Sequence, residues 1–251
     1  MENKKIKYYE QLGSTNTTLS ELATEGAEHG TVVVAGCQTE GKGRRGRLWE
    51  SPAEDNIYMS ILLRPDFATE KAPMVTLVMA YSVAKVLREN EFVNVQIKWP
   101  NDLVLSGKKV CGILTEMYLQ GTAIDYIVVG VGLNVNLSAL PKELVDKATS
   151  LFLECGKVLD KEQLIVDIVE TFMEMYDRFA KEGNLKFLQE AYNAILVNKD
   201  REVRILEPEN EYTAYAYGIN RTGELVVQLE DGTEKNVYAG EVSVRGMYGY
   251  I

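Results

Sequence analysis

The chain has 251 residues, 46% hydrophobic and 25% charged, with a formal net charge of −10, which suits one large core or two smaller ones. No apolar run reaches the roughly 18–20 residues of a membrane span, and Met-Glu-Asn-Lys-Lys at the start lacks the apolar segment of a secretory signal. The acidity argues against a nucleic-acid partner, and the scattered Cys37, Cys111 and Cys155 form neither a metal-ligand pattern nor a disulfide framework, as expected of a cytoplasmic protein.

Residues 5–9 read as a short strand ending in a turn at Gly13. Ser14 or Thr15 then caps a helix to about Glu28, with Leu19, Leu22 and Ala23 inward. His29, the only histidine, falls in an apparent surface loop. Residues 31–35 are a buried strand. The stretch Gly41-Lys-Gly-Arg-Arg-Gly-Arg47 follows, with three glycines for close backbone approach and four cations. It has no Gly-Lys-Ser/Thr ending and is not a Walker loop. On its own it is a phosphate or carboxylate clamp, an RNA-binding segment or a solvated loop, floppy before a ligand arrives.

Residues 56–63 form a second strand, closed by Pro65. Residues 70–90 are helical by the spacing of Met74, Leu77, Val78, Tyr81, Ala84 and Leu87. Strands follow at 93–98, 102–106, 109–119 and 124–135, with a hairpin turn at Ser106-Gly107. Lys98-Trp-Pro-Asn-Asp102 ends the first of these, and Pro100 favours extended backbone at Trp99. Its polar residues suit an anion with a metal ion, although on their own merits a plain Pro-Asn-Asp turn with an exposed lysine is the favoured explanation. Lys109 opens the next strand, where a lysine usually snorkels to solvent. Gly112, Gly130 and Gly132 hint at close approach to a ligand or at bulges. A buried Asn134 needs partners, which a purine edge can supply. Cys111 and Cys37 read as packing residues, not nucleophiles.

Asp160 with Gln163 starts a long amphipathic helix carrying Leu164, Ile168, Phe172, Met175 and Phe179, and a shorter one covers about 184–195. From Arg201 short alternating strands with Asn-Arg-Thr-Gly and Glu-Asp-Gly-Thr turns indicate a small β-barrel. The expected fold class is α+β: a mixed or antiparallel sheet with packed helices over residues 1–197, then an all-β domain over 198–251.

Taken together and in order, Ser14-Thr-Asn16, Gly41-Lys-Gly-Arg-Arg-Gly-Arg47, Lys98-Trp-Pro-Asn-Asp102, Lys109-x-x-Gly-Ile-Leu114, Gly130-x-Gly-x-Asn-Val-Asn136 and Gly240-Glu-Val-Ser-Val-Arg245 resemble the motifs of the biotin protein ligase family. The resemblance spans nearly the whole chain. It implies a biotin/lipoate ligase-like catalytic domain, an SH3-like C-terminal domain, and ATP-dependent formation of biotinyl-5'-AMP. Transfer to a lysine of a biotin carrier domain of a carboxylase follows.

By resemblance, biotin is bound by Ser14, Thr15, Asn16, Gln38, Gly41, Lys42, Gly43, Arg44, Lys109 and Gly112, with Ile113 and Leu114 walling the apolar slot. ATP or the adenylate is bound by Arg44, Arg45, Arg47, Trp49, Lys98, Asn101, Lys109 and Asn134. Lys109, Arg44 and Arg47 are the catalytic candidates, and Asp102 the Mg2+ ligand. The family has arginine where this chain has Lys42, which keeps the charge but loses the planar fork. Arg245 is a weaker candidate to face the site.

Three other readings stand beside this one: a lipoate or octanoate protein ligase on a related fold, a non-catalytic biotin-sensing regulator, and a nucleic-acid module built on residues 42–47. Regulators of this family carry a helix-turn-helix domain ahead of the catalytic part, and Ser14 leaves no room for one here. A homodimer through an exposed strand edge is compatible with the sequence.

Overall fold

A computed structural model describes residues 5–51, 56–90, 94–207, 210–240, 242–247 and 250–251. Val93 of the expected 93–98 strand and Glu241 of the last motif lie outside the described residues. The first sheet contains β1 (Ile6–Leu12), β2 (Val32–Gln38), β3 (Ile57–Leu63), β4 (Gln96–Lys98), β5 (Asp102–Leu105), β6 (Lys108–Gln120) and β7 (Ala123–Leu133). Its order is β1-β2-β3-β7-β6-β5-β4. Only β1 and β2 pair in parallel, joined through helix α1 (Thr15–Thr24); the other neighbours are antiparallel. Ser106 and Gly107 both take positive φ, 50° and 78°, as a two-residue hairpin turn between β5 and β6 requires.

Both faces of this sheet are covered, and strand alternation sorts the residues between them. Ile57, Met59, Ile61 and Leu63 of β3 and Ile127, Val129, Val131 and Leu133 of β7 face the main core. Helices α2 (Ala72–Glu89) and α4 (Lys161–Glu182) close that side, each with an apolar stripe at three-to-four spacing. Leu164, Ile168, Phe172 and Phe179 of α4 are buried as their spacing predicts, whereas Met175 is only partly covered. Full burial of each large apolar side chain contributes about 1.5–3 kcal/mol. The Asp160 carboxylate accepts the Gln163 N–H at 3.1 Å. The Gln163 side-chain N–H donates to Asp167 at 2.8 Å, one turn further along the helix.

On the opposite face α1 packs Leu19 and Ala23 against Val33, Leu62, Tyr126 and Val128. Helix α1 stops four residues before the expected Glu28, because Glu25 leaves helical geometry and Gly26 turns the chain at φ 95°.

The helices α3 (Leu151–Cys155) and α5 (Lys186–Ala194) complete the α component. Strands β8 (Arg201–Leu206), β9 (Glu211–Ile219), β10 (Leu225–Gln228), β11 (Glu234–Val237) and β12 (Ser243–Gly246) build an antiparallel sheet of order β11-β10-β9-β8-β12. The two sheets share one continuous core. Trp99, fully buried, joins them: its backbone N–H donates to Asn198 at 2.8 Å and its indole N–H to the Gly223 carbonyl at 3.0 Å. The Trp99–Pro100 peptide is cis. Among the described residues no helix is long and apolar enough to cross a membrane.

His29 departs from the surface role expected of it. Its Nδ1 accepts the Arg64 backbone N–H at 3.0 Å, and its ring lies 5.5 Å from that of Tyr176. Burial pulls its imidazole below the ordinary value; Lys5 acts the same way and Asp177 opposes. The reason is its position in the connection from α1 to β2, which lies against α4.

Candidate active site

The sheet face that carries α1 runs on past the end of that helix, and there its side chains disappear. On this face β7 presents Tyr126, Val128, Gly130 and Gly132, opposite Tyr118, Glu116, Leu114 and Gly112 of β6. Gly112 therefore pairs with Gly132, and Gly130 with Leu114. Bare backbone results, and the space over it is taken by groups from elsewhere. A Cβ on Gly130 would meet Asn16 Oδ1 at 2.2 Å, and one on Gly132 would meet the Trp49 ring at 2.5 Å. Close approach is the physical need for glycine here.

At one end of this floor the start of α1 delivers a polar cluster. Gln38 Oε1 accepts the Thr15 N–H at 2.8 Å and its hydroxyl at 3.1 Å. Ser60 Oγ lies 2.8 Å from Thr15 Oγ1 and 2.6 Å from Asn16 Oδ1. The Asn16 amide donates to Glu116 at 2.6 Å, and Gln38 Nε2 donates to Ser51 at 2.9 Å. Ser14, Thr15, Asn16 and Ser60 are buried.

At the other end stands Lys109. Regular alternation would turn it to the core with Cys111. Instead, Leu103 pairs with Cys111 and Val104 with Lys109, so Val110 is an extra residue in β6. Val110 and Cys111 both enter the core, and Lys109 is re-aimed to the glycine face, as bulges do. Its ammonium lies 2.7 Å from Asp102 Oδ1 and 5.0 Å from the centre of the Trp49 ring. Burial alone would raise the Asp102 carboxyl, but Lys109, Lys98 and hydrogen bonds from Lys109 and Tyr250 hold it below the usual range. Lys98 is 4% exposed, and burial pulls its ammonium down to about 8 against the opposing pull of Asp102. Arg245 is among the cations that lower Lys98 further. Burial and the nearby Asp102 charge push the Cys111 thiol up, while Lys109 opposes; it stays protonated, consistent with a packing role.

The basic loop forms a small hairpin over the floor. Gly43 donates to the Arg47 carbonyl at 2.7 Å and Trp49 to the Gly41 carbonyl at 2.9 Å. Arg45 takes the left-handed conformation (φ 57°) and Gly46 follows at φ 68°. Arg44 donates to Asn101 Oδ1 at 2.7 Å and to the carbonyls of Gly240 and Val242. Arg45 reaches the Leu206 carbonyl at 3.3 Å. The loop is thus tied to the five-stranded sheet.

One cavity gathers Ser14, Thr15, Asn16, Gln38, Lys42, Gly43, Arg44, Trp49, Asn101, Lys109 and Gly112, together with Ile113, Leu114, Gly130, Val131 and Gly132. It encloses about 50 Å³, small beside the roughly 300–1,000 Å³ of ligand pockets, because the Trp49 indole lies across the glycines. The Trp49 indole N–H is buried without a partner among the described residues. Gly41, Arg45, Arg47, Lys98, Asp102 and Asn134 do not line it. Of these, Gly41 pairs with Trp49 at its rim, and Lys98 and Asp102 stand behind Lys109. Arg47 is exposed, and the Asn134 amide donates to the Thr149 carbonyl at 3.0 Å.

Ser60 and Glu116 belong to the site although the sequence reading assigned them no role, while Gly130 and Gly132, read there as points of close approach or bulges, form its floor. Ser60 is a lone polar residue in an otherwise apolar strand, and the Gly-x-Gly pair lies in a strand; both were usable signals. Nothing local in the sequence marks Glu116.

Asp102 is the carboxylate paired with Lys109, and the sequence reading made it the metal ligand. Its Oδ1 accepts from Lys109 and, at 3.1 Å, from Asn101, while its Oδ2 accepts from Tyr250. Among the described residues there is no cluster of three or more metal-ligating side chains. The arrangement does not fit a metal ion held by protein groups alone.

Residues 8–134 match the biotin/lipoate A/B protein ligase family, and residues 200–245 match the biotin protein ligase C-terminal domain. The bifunctional ligase/repressor BirA of Bacillus subtilis is 35% identical over 241 residues, covering 94% of this chain and 73% of that protein. The human biotin–protein ligase is 29% identical over 84% of this chain and 30% of its own length. The biotin protein ligase of Aquifex aeolicus, solved with biotin and ATP, superposes with a TM-score of 0.85 at 32% identity, covering 97% of this chain and 99% of that one.

Proposed function

The chain belongs to the biotin protein ligase family, and on that premise we propose which of its residues carry each half of the reaction. It activates biotin with ATP and transfers it to a carrier protein. The observation that carries the assignment is the Val110 bulge, which turns Lys109 onto the glycine floor between the polar cluster and the Lys98–Asp102 pair.

In our reading biotin lies along the floor. Its ureido ring meets Ser14, Thr15, Asn16 and Gln38, its chain passes Gly112, Leu114 and only the backbone of Ile113, whose side chain turns into the core, and its carboxylate reaches Lys109. Gly41, Lys42, Gly43 and Arg44 close over it once Trp49 yields its place. A carboxylate oxygen attacks the α-phosphorus of ATP, the bond to the β-phosphate oxygen breaks, and pyrophosphate leaves with its electrons. Both reactants are anions, so Lys109, Arg44 and Arg47 serve by offsetting repulsion and stabilising charge on the phosphoryl oxygens. Arg45, Lys98 and Asn101 hold the phosphates, Trp49 stacks near adenine, and Asn134 meets its edge. Mg2+ enters as part of the nucleotide substrate; Asp102 contacts it only after giving up a present partner.

In the second half a neutral lysine amine of the acceptor attacks the acyl carbon. A C–N bond forms, the C–O bond to AMP breaks, and the amine proton is lost. The acceptor we propose is the biotin carrier domain of a biotin-dependent carboxylase. Residues 1–197 act as the catalytic domain and 198–251 as an SH3-like domain that holds the basic loop. The use of ATP supports action in the cytoplasm, and β1, an outer strand, is the edge through which a homodimer would form.

A lipoate ligase is the second reading. The dithiolane of lipoate offers no N–H or C=O to Thr15, Asn16 and Ser60, so binding it leaves buried polar groups poorly matched, the usual source of strong discrimination. Biotin-dependent ATP–pyrophosphate exchange tests the assignment, with lipoate and octanoate in parallel. Exchange with biotin alone, reduced about 100-fold or more by Lys109→Ala, supports it. Exchange with lipoate, or an unaffected Lys109→Ala protein, overturns it.

A further inference from the structure

The last described residues of the chain return from the five-stranded sheet to the catalytic face of the other one. The Tyr250 hydroxyl donates to Asp102 Oδ2, across 148 positions of sequence. The Lys98 ammonium lies 4.1 Å from the centre of the Tyr250 ring, within the range of a cation–π contact. Ile251 packs beside the β5–β6 turn, its Cδ1 3.2 Å from where a Cβ on Gly107 would stand, and its backbone lies against Gly246. The tyrosine is thus held by its ring, by its hydroxyl and by its neighbour.

These contacts complete a chain of fixed groups. Asp102 Oδ1 receives Lys109 at 2.7 Å and Asn101 at 3.1 Å. A carboxylate gripped at only one oxygen can rotate about its Cβ–Cγ bond and swing its lysine partner. A donor on the second oxygen stops that rotation. We infer that Tyr250 is a positioning residue for adenylation, its hydroxyl locking the Asp102 carboxylate so that Lys109 stays aimed at the carboxylate–phosphate junction. Its ring also lies against the Lys98 ammonium. The inference rests on the role given to Lys109 above.

Tyr250→Phe keeps the ring and the cover on Lys98 and removes only the hydroxyl. The expected result is a kcat for biotin-dependent pyrophosphate exchange lowered about tenfold, the scale of a slightly misplaced reacting group. The KM for biotin changes less than kcat, since the variant keeps Lys109 and its charge and leaves the polar cluster at the other end of the floor untouched. The thermal midpoint stays within a few degrees, which separates positioning from folding.

A double-mutant cycle supplies the readout that a merely structural role would not move. In the Asp102→Asn background, Tyr250→Phe is expected to add less than about twofold, because its acceptor is already altered. Fully additive effects overturn the inference, as does unchanged or faster exchange in Tyr250→Phe; faster exchange would make the tyrosine an obstruction. Lys109→Ala is run alongside. If it retains exchange, the role of Lys109 fails and this inference falls with it. If it loses exchange while Tyr250→Phe matches the unsubstituted protein, only the role of Tyr250 fails.

Discussion

The methyl group that separates alanine from glycine is the smallest probe of the floor. A Cβ at Gly130 would sit 2.2 Å from Asn16 Oδ1, far inside van der Waals contact, so Gly130→Ala displaces the Asn16 amide from the place we propose for the ureido ring. The KM for biotin is expected to rise at least about tenfold, one lost hydrogen-bonded contact, while the KM for ATP holds. Steady-state exchange at varied biotin and varied ATP separates the two. His29 supports a prediction about pH. Its folded imidazole is depressed by burial, so the unfolded chain takes up the proton first as pH falls. Stability is therefore intact above about pH 6.5 and declines as pH drops through that value. Protonation also removes Nδ1 as acceptor for Arg64. Urea midpoints between pH 7.5 and 5.5 should fall, and His29→Gln should flatten the slope; equal slopes would rule the histidine out as the cause.

Loop 41–47 is pinned by Arg44 to the carbonyls of Gly240 and Val242, which precede β12, and to Asn101, and its turn needs left-handed backbone at Arg45 and Gly46. Biotin with ATP should slow trypsin cleavage after Arg44, Arg45 and Arg47 by about tenfold or more, since protection follows the free energy of local opening. Equal cleavage with and without the ligands would mean the loop does not close on them. Elements like this one mark how far the sequence could be read. Helices α2 and α4 were legible because eighteen to twenty-two residues repeat one apolar period, and the β5–β6 turn because Ser-Gly permits its backbone. The end of α1 was misjudged, since its termination depends on Glu25 and Gly26 and not on periodicity. The bulge at Val110 was not legible: Lys-Val-Cys-Gly alternates no differently from a regular strand, and only pairing with Leu103 and Val104 decides which residue is extra. Tyr250 was invisible for the same reason, its partner lying far away in the chain.

For the molecule as a whole, the shared core means that the two sheets are not independent. Leu77 and Leu185 from the helical side lie 3.0–3.2 Å from where a Cβ on Gly223 would stand, and the same residue accepts the Trp99 indole N–H. Scanning calorimetry should accordingly give one transition with matching calorimetric and van't Hoff enthalpies. Trp99→Phe should lower stability by about 1–3 kcal/mol by leaving the Gly223 carbonyl unpaired; two resolved transitions in the unsubstituted protein would contradict the single core. The glycine floor has its own consequence for anyone remodelling substrate scope. Three of the four inward positions of the proposed biotin slot already carry no side chain, so no substitution there can enlarge it. Room for a bulkier acid has to come from Leu114 or from the indole of Trp49, and the tolerance of the enzyme for unnatural acyl groups is set by a loop and a single leucine, while the strands beneath them have nothing left to give.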